Sequence, residues 1–347
     1  MGRTARGSGR IHTRIVVVTA ALLASGCSVL FGLDDHSPSV DPGNEGGTPD
    51  GNVVSDSGNP INDSGGGGHD ATLDAPPSQC EGRFRVTGSR RIDPAGGTSS
   101  QFSARGKQGS LTAAYISSDH DPEGSRVLDG TRSSDSLEFG LDARTPGNFN
   151  SKMTRHGIAT SDDLRMLYIQ WTDDAHQDIW LAKKGDSGFT ANGAVGINAP
   201  TGANEVDTEV YLVNNGDVLY FASNRTNGLF RIYQSVESGS ATGNYATPTL
   251  LPGLDKATAD QRAPVVTNDK KTILFARNGG QGLRIYAAQR ATADGDFSEA
   301  SLVCDVNASG EGQYPTWISP ANNALYFVNV RSGKYELWQA SIAIPSP

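Results

Sequence analysis

Apolar positions in this chain fall in short alternating runs, and the runs recur in sets. In the last set, Gln313-Tyr-Pro-Thr-Trp-Ile-Ser319 is followed by the turn Pro320-Ala-Asn-Asn323 and then by Ala324-Leu-Tyr-Phe-Val328. A polar stretch from Asn329 to Lys334 leads to Tyr335-Glu-Leu-Trp-Gln-Ala340. Runs rich in β-branched and aromatic residues, bounded by Asn, Pro, Gly and Ser, are strand–turn–strand signals. None is long enough, with a 3.6-residue period, to read as a helix. Earlier sets match: Val210-Tyr-Leu-Val213, Val218-Leu-Tyr-Phe221 and Phe230-Arg-Ile-Tyr233, then Pro264-Val-Val-Thr267, Thr272-Ile-Leu-Phe275 and Leu283-Arg-Ile-Tyr286.

The sets are evenly spaced. Tyr115, Ile169, Phe221, Phe275 and Phe327 stand 52 to 54 residues apart, and Leu128, Trp180, Tyr233, Tyr286 and Trp338 stand 52 or 53 apart. Two markers holding one period mean repeated supersecondary units that share a continuous core. A fourth strand is marked in the first four sets by Phe139, Phe189, Tyr245 and Phe297, while the fifth set runs out at Pro347. The missing strand stands at the other end, in Phe84 to Ile92, because Phe84 lies 55 residues before Phe139. The pattern predicts an all-β protein, a propeller of five four-stranded blades whose ring is closed by strand 84–92 joining the last blade. Closure of this kind removes exposed sheet edges. An irregular unit before residue 111 would make the number six.

The last unit carries Pro315, Ser319, Pro320, Leu325, Phe327, Arg331, Gly333, Glu336, Leu337 and Trp338. Parts recur as Ser223, Asn224 and Arg225, and as Asp178, Ile179 and Trp180. In this the chain resembles the TolB-like, WD40-like β-propeller repeats of bacterial envelope proteins, over residues 84 to 342. The turn departs from that pattern, its Asp-Gly surviving only as Asp162-Asp163, Gly216-Asp217 and Asp269-Lys270. The resemblance implies a propeller that mediates contacts; it says little of activity, since propellers host many.

Residues 1–26 read as a signal peptide. Arg3, Arg6, Arg10 and Arg14 precede an apolar run from Ile15 to Ala24, which ends in Ser25, Gly26 and Cys27. That run is too short to span a membrane. Leu23 to Cys27 resembles the bacterial lipoprotein processing site, which implies acylation of Cys27; Ser28 after it favours the outer membrane. Residues 27–79 form a Gly-, Asp-, Ser- and Pro-rich linker that cannot bury enough surface to order itself. As a coil it spans roughly 35–40 Å. The propeller domain takes residues 80–347.

The formal charge is −9, and the linker holds nine acidic and no basic side chains. Without the signal and linker the domain retains a charge of only −4. It lacks the basic footprint that phosphate recognition needs, so nucleic acid is not an expected partner.

Candidate chemistry is sparse. His12, His36, His69, His120, His156 and His176 form no metal-ligand pair. The carboxylates of Asp119, Asp121, Glu123, Asp173, Asp174 and Asp178 lack calcium-loop spacing. No metal or cofactor is expected. Gly185-Asp-Ser-Gly188 matches a repeat turn at Ala293-Asp-Gly-Asp296 better than a protease nucleophile segment. Cys80 and Cys304 remain as an even pair in an oxidising compartment, which suggests a disulfide. Their strand positions, however, place them towards opposite faces, and two unpaired thiols are the alternative. The four tryptophans recur with the period and are expected to pack between blades.

A ligand fits best at the mouth of the central channel, where innermost strands begin. The residues expected there are Gln101, Arg155, His156, Asp207, Glu209, Gln261, Arg262, Gln313 and Tyr314. The expected function is non-catalytic binding or scaffolding of an envelope protein or a cell-wall or surface polysaccharide by an exported, outer-membrane lipoprotein. The alternative is a glycoside hydrolase or lyase working through Asp207 and Glu209. Carboxylate pairs do serve as acid and base in glycosidases, but these two lie on one strand.

Overall fold

The computed structural model of the chain describes residues 84–93, 99–119, 125–144, 154–159, 165–171, 177–198, 206–213, 217–226, 228–238, 243–254, 259–278, 282–306 and 312–346. The signal peptide, the linker, Cys27 and Cys80 lie outside them.

A lone strand, β1 (Arg85–Arg91), comes first in the chain. Blade one follows as β2 (Gln101–Gly106), β3 (Ala113–Ser118), β4 (Arg126–Thr131) and β5 (Gly140–Arg144). Blade two is β6 (Thr154–Ala159), β7 (Arg165–Trp171), β8 (Gln177–Gly185) and β9 (Gly188–Ala194). Blade three is β10 (Asp207–Val213), β11 (Val218–Ser223), β12 (Arg231–Val236) and β13 (Thr249–Leu250). Blade four is β14 (Gln261–Val266), β15 (Thr272–Asn278), β16 (Leu283–Gln289) and β17 (Ser301–Leu302). Blade five has β18 (Gly312–Ile318), β19 (Ala324–Arg331) and β20 (Lys334–Ala343), with β1 as its outermost member. The protein is therefore an all-β, five-bladed propeller closed by its N-terminal strand.

Second strands explain why the repeat reads as apolar runs. Every residue of β11 is buried, as are the first seven of β19. A strand covered on both faces by neighbouring layers has no polar side and loses its alternation. Farther out the cover thins, and β13 is two exposed residues long.

The two periodic markers meet inside each blade. Phe221 stands opposite Tyr233, Phe275 opposite Tyr286 and Phe327 opposite Trp338, with ring centroids 5.8, 6.3 and 6.3 Å apart. Trp338 thus packs against Phe327 on one face of its own sheet. Trp317 does pack between blades: a Cβ at Gly106 of blade one would meet its ring at 2.8 Å. Trp180 sits against a cluster of Tyr115 and Val127 from blade one with Met166, Tyr168, Ala182 and Phe189 from blade two. The Trp171 side chain lies outside the described residues. Gly185 to Gly188 is the β8–β9 hairpin turn.

Buried arginines join blades at recurring positions. Arg290 donates to Lys270 O at 2.7 Å, to Gly295 O at 3.2 Å and across to the Tyr220 hydroxyl at 3.2 Å, over the face of Phe297. Arg132 repeats the pattern at the ring closure. It donates to Leu111 O at 2.7 Å and Leu137 O at 3.0 Å, then to the Tyr326 hydroxyl at 2.9 Å and Gln339 Oε1 at 2.7 Å in blade five.

Strand β1 ties three blades together. It pairs antiparallel with β20, Val86 opposite Ile342 and Arg91 opposite Trp338. A bulge interrupts the pairing after Thr87, where Gly88 takes φ +62°, a conformation costly for residues with a Cβ. Ile92 donates to Leu337 O at 2.8 Å and accepts from the Phe139 N–H of blade one at 3.3 Å. At the other end, Cys304 N–H of blade four donates to Phe84 O at 3.1 Å. Cys304 is disulfide-bonded. Cys304 therefore lies beside the residue that precedes β1. β17 is only two residues long, so the chain leaves blade four early and crosses to Arg85, which it meets in a parallel bridge.

Asp93 completes this junction, its carboxylate accepting the Leu337 N–H and pairing with Arg91 at 2.7 Å. Burial pushes its pKa from 3.8 up to about 6, against the pull of that N–H and of Arg91. A carboxyl whose folded pKa lies above its unfolded one stabilises fully below 3.8, and the contribution is lost as pH rises through about 6. Asp93→Asn should therefore come close to the wild type near pH 4 and exceed its unfolding free energy near pH 7 by about 3 kcal/mol. Urea melts at the two pH values check this; an equal gap at both refutes it.

Candidate functional site

The inner strands form a closed circuit, β2 beside β6, β6 beside β10, β10 beside β14, β14 beside β18 and β18 beside β2. An innermost strand turns its backbone edge to the axis, so its side chains alternate between the two faces of its blade. Bulges break that rule, because an extra residue re-aims the side chain beside it. Each of the five inner strands carries one. At two of them the backbone enters the left-handed region, Glu209 with φ 54° and Ala263 with φ 49°.

Between β2, β10, β14 and β18 lies a small cavity lined by Arg105, Glu209, Ala263, Pro264, Tyr314 and Thr316 among others. Sheet register relates the inner-strand positions at this level. Arg105 pairs with Tyr115, Arg155 with Ile169 and Pro315 with Phe327, so all three oppose the second-strand marker. In blades three and four the register shifts at this level, and Glu209 and Ala263 hold the equivalent places. The ring therefore reads Arg, Arg, Glu, Ala, Pro.

Glu209 is engaged on both oxygens. One accepts the Ala263 N–H at 2.7 Å, and the other lies 3.1 Å from Arg262 Nε. Arg262 in turn sits 4.1 Å over the ring of Phe230. Arg105 is placed differently. Its Nη2 donates to Leu212 O at 3.0 Å and its guanidinium lies 5.0 Å over Tyr211. Burial lowers its pKa, with only Tyr211 opposing the shift. The Nη1 atom is buried without a hydrogen-bond partner, and so is Thr316 Oγ1.

The mouth residues inferred from the repeat are mostly not in this cavity. Gln101, Asp207, Gln261 and Gln313 are buried, each at 1 or 2% exposure. Asp207 holds Arg225 at 2.6 Å, and Arg225 lies 5.1 and 5.0 Å from the Phe221 and Tyr233 rings. Gln261 donates to Leu254 O, and Gln313 to Asn329 Oδ1 at 3.3 Å. Asp207 and Gln313 make these contacts within their own blades. Asp207 and Glu209 are thus not brought together. Arg262 acts through Glu209, and Tyr314 lines the cavity. Arg155 and His156 lie on β6, whose side chains are outside the described residues. Arg105 and Thr316 were missing from the sequence reading. An offset counted from the strand markers cannot find them when hairpin lengths differ.

No protein-family model matches the chain, and no curated protein matches it by sequence. Solved structures do. An endo-arabinase from Bacteroides thetaiotaomicron aligns at TM-score 0.51 with 11% identity, over 74% of this chain and 99% of that one. An α-L-arabinanase from Penicillium chrysogenum, solved with arabinobiose, aligns at 0.45 with 15% identity, over 72% and 85%. TolB from Acinetobacter baumannii aligns at 0.36 with 14% identity, over 72% of this chain and 53% of that one. At these identities the likeness is one of fold.

Proposed function

We propose that this chain is a non-catalytic binding propeller of the bacterial envelope, anchored through acylated Cys27 to the outer membrane and carried on the 27–79 linker. It grips a protein or a cell-wall or surface polysaccharide through the channel. The observation that supports binding over hydrolysis is the state of the two inner-strand carboxylates. Acid–base cleavage of a glycosidic bond needs two carboxyl groups facing one site about 5–9.5 Å apart. Here Glu209 is tied to Arg262 and the Ala263 N–H, while Asp207 is spent on Arg225 inside its blade. With Cys27 acylated, Cys80 is the partner left for Cys304, and that bond fastens the closing strand to blade four.

Metabolic labelling with palmitate tests the anchor. Label and membrane fractionation are expected for the wild type and lost in Cys27→Ser. Crosslinking in native envelopes, followed by mass spectrometry, tests the role: recovery of an envelope protein or glycan supports it. Release of cleaved product from an oligosaccharide, abolished by Glu209→Gln, would replace it with a hydrolase.

A further inference from the structure

We infer that the disulfide at Cys304 is a redox latch on the closing strand. Its reduction frees the first half of β1 from blade four and from the end of β20, with the bulge after Thr87 as the hinge. The second half stays seated and keeps the ring shut. The latch takes Cys80 as the partner of Cys304, and so rests on the assignment of Cys27 to acylation given above.

Register shows why β1 needs a fastening. Strands β19 and β20 pair without a break from Ala324 opposite Ser341 to Arg331 opposite Lys334. Strand β1 meets β20 at three positions, Arg85 to Thr87, and at two more, Arg90 and Arg91, beyond the bulge. Gly88 at φ +62° sits in that gap, where the absence of a Cβ lets the backbone turn freely. Side chains add little cover, since Val86 is the one buried residue of the strand.

The two halves are held by different means. Beyond the bulge, Ile92 is sealed at 0% exposure, donates to Leu337 O and accepts from the Phe139 N–H, while Asp93 accepts the Leu337 N–H. Before the bulge, the backbone tie to blade four among the described residues is the bridge between Arg85 and Cys304, with the Cys304 N–H donating to Phe84 O. One such hydrogen bond stabilises little by itself. Cys80 lies four residues before Phe84, a reach of at most about 14 Å, so the covalent bond closes onto the same spot. It keeps Phe84 and Arg85 beside Cys304 whenever that bridge breaks, which denies the open state its freedom. Reduction is a two-electron exchange with a dithiol. Cys304 is 4% exposed, so the incoming thiolate attacks the Cys80 sulfur and Cys304 leaves as a thiolate. The second sulfur of the reductant then displaces Cys80. The reductant ends as its own disulfide, and its two protons end on Cys80 and Cys304.

Site-resolved amide exchange on the full-length chain, with and without dithiothreitol, tests the latch beside a non-reducing peptide map. The map is expected to join Cys80 to Cys304. On reduction the amides of Cs304's tie and of the first half, read at Cys304, Thr87 and Ser341, should exchange about 30-fold faster or more. Those of Ile92 and Phe139, which hold the second half, should keep their rates. Cys80→Ser, which leaves the buried Cys304 in place, should show the fast pattern from the start and ignore the reductant. Unchanged exchange at Cys304, Thr87 and Ser341 overturns the latch. Equal acceleration at Ile92 and Phe139 also overturns it, because the whole ring would then loosen without a hinge. Either result, with Cys80 joined to Cys304, leaves the binding role untouched. A map that joins Cys304 to Cys27 instead removes both the latch and the acylated anchor.

Discussion

Ile92→Asp should lower the unfolding free energy by about 4 kcal/mol or more, the size expected for a charge forced into a sealed apolar site. Ile92 is 0% exposed, and its backbone bonds to Leu337 of blade five and to Phe139 of blade one. Val86, at 1% exposure, should respond in the same way. Thr87 and Ser89 on the outer face of β1 are exposed, so Thr87→Asp should change stability by no more than about 0.5 kcal/mol. Urea denaturation followed by tryptophan fluorescence separates the two cases. Three variants that behave alike would mean that β1 lies on the surface and closes nothing. The contrast matters more than either value, because it reads the two-residue period of a strand with one buried face.

Arg132→Met should cost about 3 kcal/mol, the lower range for removing one partner from a buried charged network. Methionine fills much of the volume, so the loss falls on hydrogen bonds rather than on a cavity. Leu111 O, Leu137 O, the Tyr326 hydroxyl and Gln339 Oε1 all accept from this guanidinium, two of them in blade one and two in blade five. Arg290→Met removes the equivalent contacts between blades four and three. Both should destabilise, and the Arg132 change should also raise proteolytic cleavage near the chain's ends, because it loosens the closure. Thermal melts and limited proteolysis read the two effects separately. A loss under about 1 kcal/mol for Arg132→Met would place the closure energy elsewhere.

The sequence shows the five-fold period, the strand order and the closing strand because each depends on a buried marker that recurs. Phe221, Phe275 and Phe327 are fixed by packing on both sides, and burial of that kind tolerates few residue types. The cavity depends on something the period hides. Arg105 stands 10 residues before Tyr115, whereas Glu209, Ala263 and Pro315 each stand 12 before their own markers. A 3-10 turn at Lys107–Gly109 makes the first hairpin different, so an offset of 12 lands on Ser103 instead. Bulges hide the rest, since they decide which inner-strand side chains leave the sheet, and no residue pattern announces them. The bridge between Cys304 and Arg85 has a local cause as well. A two-residue outer strand lets the chain cross to its neighbour, where a full-length one would have carried it to the far face.

Site-resolved amide hydrogen exchange on β20 tests the ring closure most directly. An antiparallel strand bonded on both sides has protected amides along its whole length, while an edge strand protects only alternate ones. With β19 on one side and β1 on the other, the amides of Trp338–Ser341 should exchange as slowly as those of β15, apart from the bulge after Thr87. Fast exchange at every second residue of β20 would contradict the account, for it would leave the fifth blade with three strands and the ring open.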